Sequence, residues 1–374
     1  MTPSEILRSL VAIPSVSRLS NRPLIEWVQH RLTGVGWHHR VVSYRDSGGI
    51  DKLNLIASPH PLPQGTIYAH LALVCHTDTV PFDPSWPEAT TLLERNGMLH
   101  GCGACDVKGF LACMIAAAER LDAARPRLPL VFVFTADEEI GCRGARFLLR
   151  EGVLQARYAI VGEPTSLVPA RAGKGYGLAE VHIAGRSAHS AFPEAGRSAI
   201  LAAMRMIGEI EELRIALQSD RNDAFSPPWT TINIGEIHGG TAKNIVPAAC
   251  DFLVEWRPIP SQPPESVGTE LQRIAAALSR DGIDISVHIA RAESGFETPL
   301  ASPLLAALSA AAPTTLSFGS EAPWLARMGA EAVVFGPGSM LTAHSPAECV
   351  PLHELDTCIN ILLAAIERIC SRAE

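Results

Sequence analysis

The segment Leu128–Ala136, LPLVFVFTA, is an unbroken apolar run followed at once by Asp137, Glu138 and Glu139. A strand that faces water on one side alternates apolar and polar residues. A strand covered on both faces is apolar throughout, as in sheets flanked by helices on two sides. This run therefore constrains the architecture to an α/β fold with a carboxylate-rich turn at the end of a buried strand. Three adjacent carboxylates there repel one another, and each has a raised pKa unless a cation compensates. Adjacent side chains on an extended backbone point to opposite sides, so Glu138 and Glu139 are expected to divide their roles, one a ligand and the other a proton-transfer group.

Two more apolar strands end in, or are shortly followed by, polar residues. LALVCHTDTVP, residues 71–81, emerges in His76, Thr77 and Asp78. Residues two apart share a face, so Asp78 is expected to hold the ring nitrogen that His76 does not offer to a metal. YAIVGEPT brings Glu163 out just before Pro164. Ligands in open α/β sheets gather at the carboxyl ends of strands. LHGCGACDVKG then leads into FLACMIAAAERLDAA, whose Ala, Leu and Met content predicts a helix. Asp106 follows His76 by thirty residues, the length of a β-loop-α crossover, which would put both at one sheet edge; a helix N-cap is the plainer reading. The glycines match neither GxxxxGK[ST] nor GxGxxG, so a phosphate loop is not expected.

From Gly173 the pattern changes. KGYGLAEVHIAG alternates as a half-buried strand, a helix starts at Ser198, and TTINIGEIHGG, PAACDFLVEWRP, a second helix from Pro264 to Leu278 and IDISVHIA follow. Strand, helix, strand, strand, helix, strand is the order of a ferredoxin-like α+β unit. An inserted domain is expected at residues 175–290, within a first domain made of residues 1–174 and 291–374. The closing segment carries His344 in a loop just after the strand AVVFGPG.

Composition excludes several classes. A net charge of −8 without acidic or basic blocks does not make a nucleic-acid surface. No stretch reaches the roughly 18 apolar residues of a membrane span, and the N-terminus lacks a signal-peptide pattern, so a cytoplasmic address and small-molecule partners are expected. Nine cysteines at irregular spacing are expected to be reduced. Cys102 and Cys105 form a lone C-x-x-C with no second pair to complete a zinc tetrahedron, and are read as packing.

Taken in order, HTDTVP at His76, GCGACDVKG with Asp106, TADEE with Glu138 and Glu139, GEPT with Glu163 and AHSPAE with His344 resemble the co-catalytic zinc aminoacylase and carboxypeptidase-like metallopeptidases, and within them the acetylornithine deacetylase branch most. The resemblance extends over nearly the whole chain. It implies a zinc-peptidase-like mixed sheet flanked by helices, with the inserted βαββαβ domain serving as a dimerisation and lid domain of a homodimer. It implies two divalent ions, zinc first and cobalt second: His76 and Glu163 on one, Glu139 and His344 on the other, Asp106 bridging. Glu138 would be the general acid/base and Asp78 the orienter of His76, with a cis peptide after Asp106. His189 in GRSAHS would reach a partner's scissile carbonyl, and Asn244 in AKNIVP and Arg257 in EWRP would hold substrate. A guanidinium binds a carboxylate bidentately, which implies an N-acyl amino acid. In LSFGSEAPW, Ser320 and Glu321 resemble the deacetylase branch, and Glu321 would suit a cationic side chain. Desuccinylase, aminoacylase or dipeptidase action by the same centre is the alternative, and a non-catalytic metal-dependent dimer the more distant one.

Overall fold

The computed structural model describes residues 1–83, 85–122, 126–309 and 311–371. The chain forms two compact units, one of residues 1–171, 297–314 and 320–374, the other of residues 172–296 and 315–319. These limits lie a few residues outside the expected 175 and 290, and residues 315–319 were expected in the first domain. Periodicity marks where the strand Tyr176–Ala184 begins, whereas compactness follows the linkers: Gly173 packs so tightly on Phe296 that a Cβ there would lie 2.7 Å from its ring, with Leu316 beside it.

In the larger unit the strands run His38–Arg45, Asp51–Ser58, Leu130–Thr135, Ile67–His76, Leu154–Val161 and Glu331–Val334 across a mixed sheet. The first two pair antiparallel, and Asp51–Ser58 runs antiparallel to Leu130–Thr135. The remaining neighbours are parallel. Alternate residues explain the unbroken apolar runs. Leu71, Leu73, Cys75, Leu130, Phe132 and Phe134 face a core shared with helices Pro3–Val11, Arg22–Gly34, Lys108–Arg120 and Leu352–Cys370. Ala72, Val74, Val131 and Val133 point the other way and are equally buried. Replacing one such residue, as in Phe132→Ala, would cost about 3–5 kcal/mol through lost burial and a cavity. Helices Arg143–Arg150 and Ala322–Arg327 pack on each other through Ala145 and Trp324, with Cys142 alongside.

The smaller unit has the expected βαββαβ order, with strands Tyr176–Ala184, Thr231–Gly239, Ala249–Arg257 and Asp284–Glu293 and helices Ala199–Ala216 and Ser266–Leu278. Its antiparallel sheet runs in the order Thr231–Gly239, Ala249–Arg257, Tyr176–Ala184, Asp284–Glu293. Alternation puts Val181, Ile183, Phe252, Val254 and Trp256 against the helices. Gly177 is required where it stands, since the Trp256 ring would lie 1.8 Å from its Cβ.

The helix after Asp106 spans Lys108–Arg120, short of the expected run to Ala124, whose end lies outside the described residues. Its N-cap is Val107 without a side-chain cap bond, so Asp106 is not a capping residue. The Asp106–Val107 peptide is cis. No helix among the described residues is long and apolar enough to cross a membrane.

Candidate metal centre

Strand register brings the polar ends together. His76 lies opposite Thr135 in the parallel pair, Val74 opposite Val161, and Val161 opposite Val334. The residues that follow these positions, Asp137 to Glu139, Glu163 and the loop to His344, therefore leave the same sheet edge as His76. Parallel strands present their carboxyl ends in common, which is why three ordinary strand ends form one site.

At its centre is Asp106. Its Oδ1 lies 3.1 Å from His76 Nε2 and its Oδ2 lies 3.0 Å from His344 Nε2. Glu163 Oε1 is 4.0 Å from His76 Nε2, and Glu139 Oε1 is 3.2 Å from His344 Nε2. One carboxylate thus divides its two oxygens between two imidazoles, each with a further glutamate. His76, Asp106 and Glu139 offer ligand atoms all within 4.8 Å of one another, and so do His76, Glu138 and Glu163. Glu138 and Glu139 fall in different groups.

Electrostatics in this cluster are those of donors without enough positive charge. Burial pushes the Glu138 carboxyl up to about 8 and raises Glu139, and it lifts Glu163 well above the usual range with Asp106 adding to the effect. Burial alone would lower His76, but Asp106, Glu163 and Glu138 outweigh it and push the imidazole well up. His344 rises to about 10 through Asp106 and Glu139. Asp106, against the pull of burial, is lowered by its bonds to His344 and His76. Two imidazoles and buried carboxylates competing for protons are a donor set that suits divalent cations such as zinc. The residues present fit a metal pair.

Asp78 differs from expectation. His76 Nδ1 meets the Asp78 main-chain carbonyl at 3.0 Å, and the carboxylate is 3.7 Å away. That carboxylate instead accepts from the backbone N–H of Glu138 at 3.0 Å and of Glu139 at 3.3 Å, and from Ser17 Oγ at 2.7 Å. The strand ends at His76, and beyond it the Asp78 carbonyl meets the ring while its side chain grips the neighbouring strand's turn. Asp137, the third carboxylate of that turn, is compensated by buried Lys52, with Nζ 2.7 Å from Oδ1, and by the Tyr44 hydroxyl, which donates to Oδ2 at 2.8 Å. Cys142 Sγ lies 3.4 Å from Glu138 Oε1. Asp137, Cys142 and His344 all have positive φ, 58°, 51° and 57°, a conformation costing non-glycine residues of order 1–3 kcal/mol and concentrated at functional sites.

Ser320 and Glu321 are also placed otherwise than expected. Glu321 is fully buried, with Oε2 accepting from Thr135 Oγ1 at 2.9 Å and Oε1 unpartnered among the described residues. Burial pushes it up to about 7. A carboxylate sealed under the sheet end is neither a solvated surface group nor a wall open to substrate. Ser320 is buried, and its Oγ accepts from the Ala322 N–H as that helix begins. Cys102 and Cys105 are buried free thiols whose pKa values burial pushes up, which disfavours a reactive thiolate.

In the smaller unit His189 and Asn244 are neighbours on a short ribbon: His189 pairs with Ile245, and the Ser190 N–H donates to the Asn244 carbonyl at 3.0 Å. Both are exposed. Arg257 ends the strand Ala249–Arg257, half-exposed, with Nε 2.8 Å from Glu255 and its guanidinium 4.6 Å from the Tyr176 ring centre.

Sequence reasoning missed Ser17, Lys52 and Cys142. Lys52 alone left a signal, a cation directly before the apolar run LNLIAS.

Residues 72–368 match the model of peptidase family M20/M25/M40. The chain is 45% identical to an acetylornithine deacetylase of Myxococcus xanthus, over 97% of this chain and 96% of that one. It is 33% identical to an acetylornithine deacetylase of Proteus mirabilis, over 98% and 96%. Among solved structures it is similar to a tripeptidase of Staphylococcus aureus, with TM-score 0.77, 23% identity and coverage of 99% and 98%. It is also similar to a dinuclear metal binding peptidase of Bacillus subtilis, with TM-score 0.70, 15% identity and coverage of 99% and 98%.

Proposed function

The chain belongs to peptidase family M20/M25/M40, and from that premise we propose that it is a metal-dependent amidohydrolase that removes the acetyl group from N2-acetyl-L-ornithine, giving L-ornithine and acetate, a reaction of arginine biosynthesis. The observation that carries the hydrolytic reading is the division of Asp106 between His76 and His344. The choice of substrate rests on the deacetylases that match almost end to end.

His76 and Glu163 would hold one ion, Glu139 and His344 the other, and Asp106 both. Zinc is the ion this nitrogen and oxygen set favours, with cobalt the alternative. When bound, such ions acidify water, from a pKa of about 15.7 toward about 7, and polarise a carbonyl. The protein's own residues do the rest. Glu138 takes the proton of the attacking water and returns it to the departing amine as the C–N bond breaks. Asp78, by holding the Glu138 and Glu139 amides, keeps base and ligand in register. His189 is assigned to the developing oxyanion, Asn244 to the pocket lining and Arg257 to the substrate's α-carboxylate. Ser320 and Glu321, being buried, are assigned to support of the sheet end rather than to substrate contact.

The smaller unit supports a homodimer. Ile200, Leu201 and Met204 stand 41%, 51% and 61% exposed on one helix, and Ile237 is 51% exposed on the edge strand Thr231–Gly239. A clustered apolar surface beside an open strand edge suits association with a second copy. Nine cysteines held as thiols, none in a disulfide, suit a reducing, cytoplasmic setting.

The test is a panel of N-acetylornithine, N-succinyl-diaminopimelate and dipeptides, with metal content measured on the same sample before and after chelation. N-acetylornithine should be cleaved fastest, and chelator should abolish turnover and lower the melting temperature. Full activity in metal-free protein, or preference for another substrate, would overturn the proposal.

A further inference from the structure

Four residues after His344, Glu348 is 2% exposed, yet its carboxylate is fully engaged. Oε2 accepts from the Gly103 N–H at 2.9 Å, and Oε1 accepts from the N–H groups of Cys105 and Asp106, both at 3.1 Å. These donors all belong to the loop that ends in Asp106. The Glu348 main chain is tied to the same loop, its carbonyl accepting from the Gly101 N–H at 3.3 Å, and Cys349 pairs with His100. Gly103 can present its amide because its φ is +77°, where a Cβ would come within 2.9 Å of the Thr79 side chain.

We propose that Glu348 is a positioning residue of the metal centre: by gathering three backbone amides of the Asp106 loop onto a carboxylate borne by the His344 segment, it fixes Asp106 between the two histidines. A plain loop staple would not need a buried carboxylate. Here the acceptor geometry calls for one, because the three donors approach two separate oxygens and glutamine has one acceptor oxygen. Placing that oxygen at the Cys105 and Asp106 amides would turn an NH2 group toward the Gly103 N–H. An aspartate is one methylene shorter and would not span the gap. Removing Glu348 therefore loosens the loop at Asp106, the ligand both ions would share. This rests on the metal-centre reading above.

The test titrates Zn2+ into metal-free parent, Glu348→Gln and Glu348→Ala by calorimetry, beside kcat and KM for N-acetylornithine and the melting temperature of each. Outer partners of metal ligands are worth about 10–100-fold in affinity or activity. Glu348→Gln should bind zinc within that range more weakly and lose kcat while KM stays within about twofold; Glu348→Ala should do worse. A folded Glu348→Gln variant with the parent's zinc affinity and the parent's kcat would overturn the assignment. Should neither variant fold, amide exchange in the unmodified protein decides: the Gly103, Cys105 and Asp106 amides should exchange as slowly as those of the strand Leu130–Thr135, and exchange at the rate of open loops would overturn it. A parent that binds zinc but leaves N-acetylornithine intact would sink the deacetylase reading, while the zinc titration still judges Glu348.

Discussion

In the larger unit His76, Asp78, Asp106 and Glu163 are at most 5% exposed, with His76 held between the Asp78 carbonyl and the Asp106 carboxylate. In the inserted unit His189 and Asn244 stand exposed on a two-residue ribbon and Arg257 is half-exposed beside Glu255. Burial locks the first set into one geometry and makes every charge in it expensive unless paired, whereas the second set keeps its hydration and its freedom. Most of a centre that would hold cations and steer one proton has the first arrangement, although His344, assigned to one ion, is 47% exposed. Groups proposed to hold the substrate, which would release a product after each turnover, are better served by the second.

The sharpest way to break this contrast is Glu138→Gln. It keeps shape and burial but removes the base, so kcat should fall by about 10²–10⁴-fold while zinc content on the same sample stays at the parent's level. Retained turnover would move the proton-transfer role elsewhere. Lys52→Met comes next. It leaves Asp137 charged at 1% exposure in a sealed site, and breaking a buried pair from one side costs about 3–5 kcal/mol, read as a lowered midpoint in urea. The matching change at the half-exposed pair, Arg257→Ala, should cost no more than about 1 kcal/mol of stability and act instead on KM. Equal losses at both pairs would erase the distinction. The smallest effect on stability is expected from Met204→Glu, which should leave the melting temperature nearly unchanged while light scattering reports a monomer in place of a dimer. A dimer that persists would remove this helix face from the interface.

Much of the larger unit was legible because its signals are local. An apolar run of strand length ending in His or Glu states both that a strand is buried and what it carries to its tip. That is how His76, Glu138, Glu139 and Glu163 could be placed, and how the strand and helix order of the inserted unit could be read from period alone. Asp106 was legible by its distance from His76, though only the structure removed the helix-cap alternative. Asp78 was found for one contact and makes another, because a two-residue spacing fixes the face of a side chain but not which neighbouring strand's amides lie in front of it. Glu321 was read as facing a pocket because its motif gives no measure of depth.

The sequence by itself determined that there is a covered sheet, an inserted α+β unit and a set of histidines and carboxylates due at one edge. Apolar periodicity and strand termini are properties of contiguous residues, so they can be read in one dimension. Only tertiary structure decided that Asp106 gives one oxygen to each histidine, that Lys52 neutralises Asp137, and that Glu348 reaches back across more than 240 residues to the Gly103–Asp106 amides. Those contacts join residues far apart in the chain, and their existence depends on strand register and loop closure to within an ångström. No local pattern encodes that precision, and the chemistry of this centre depends on it.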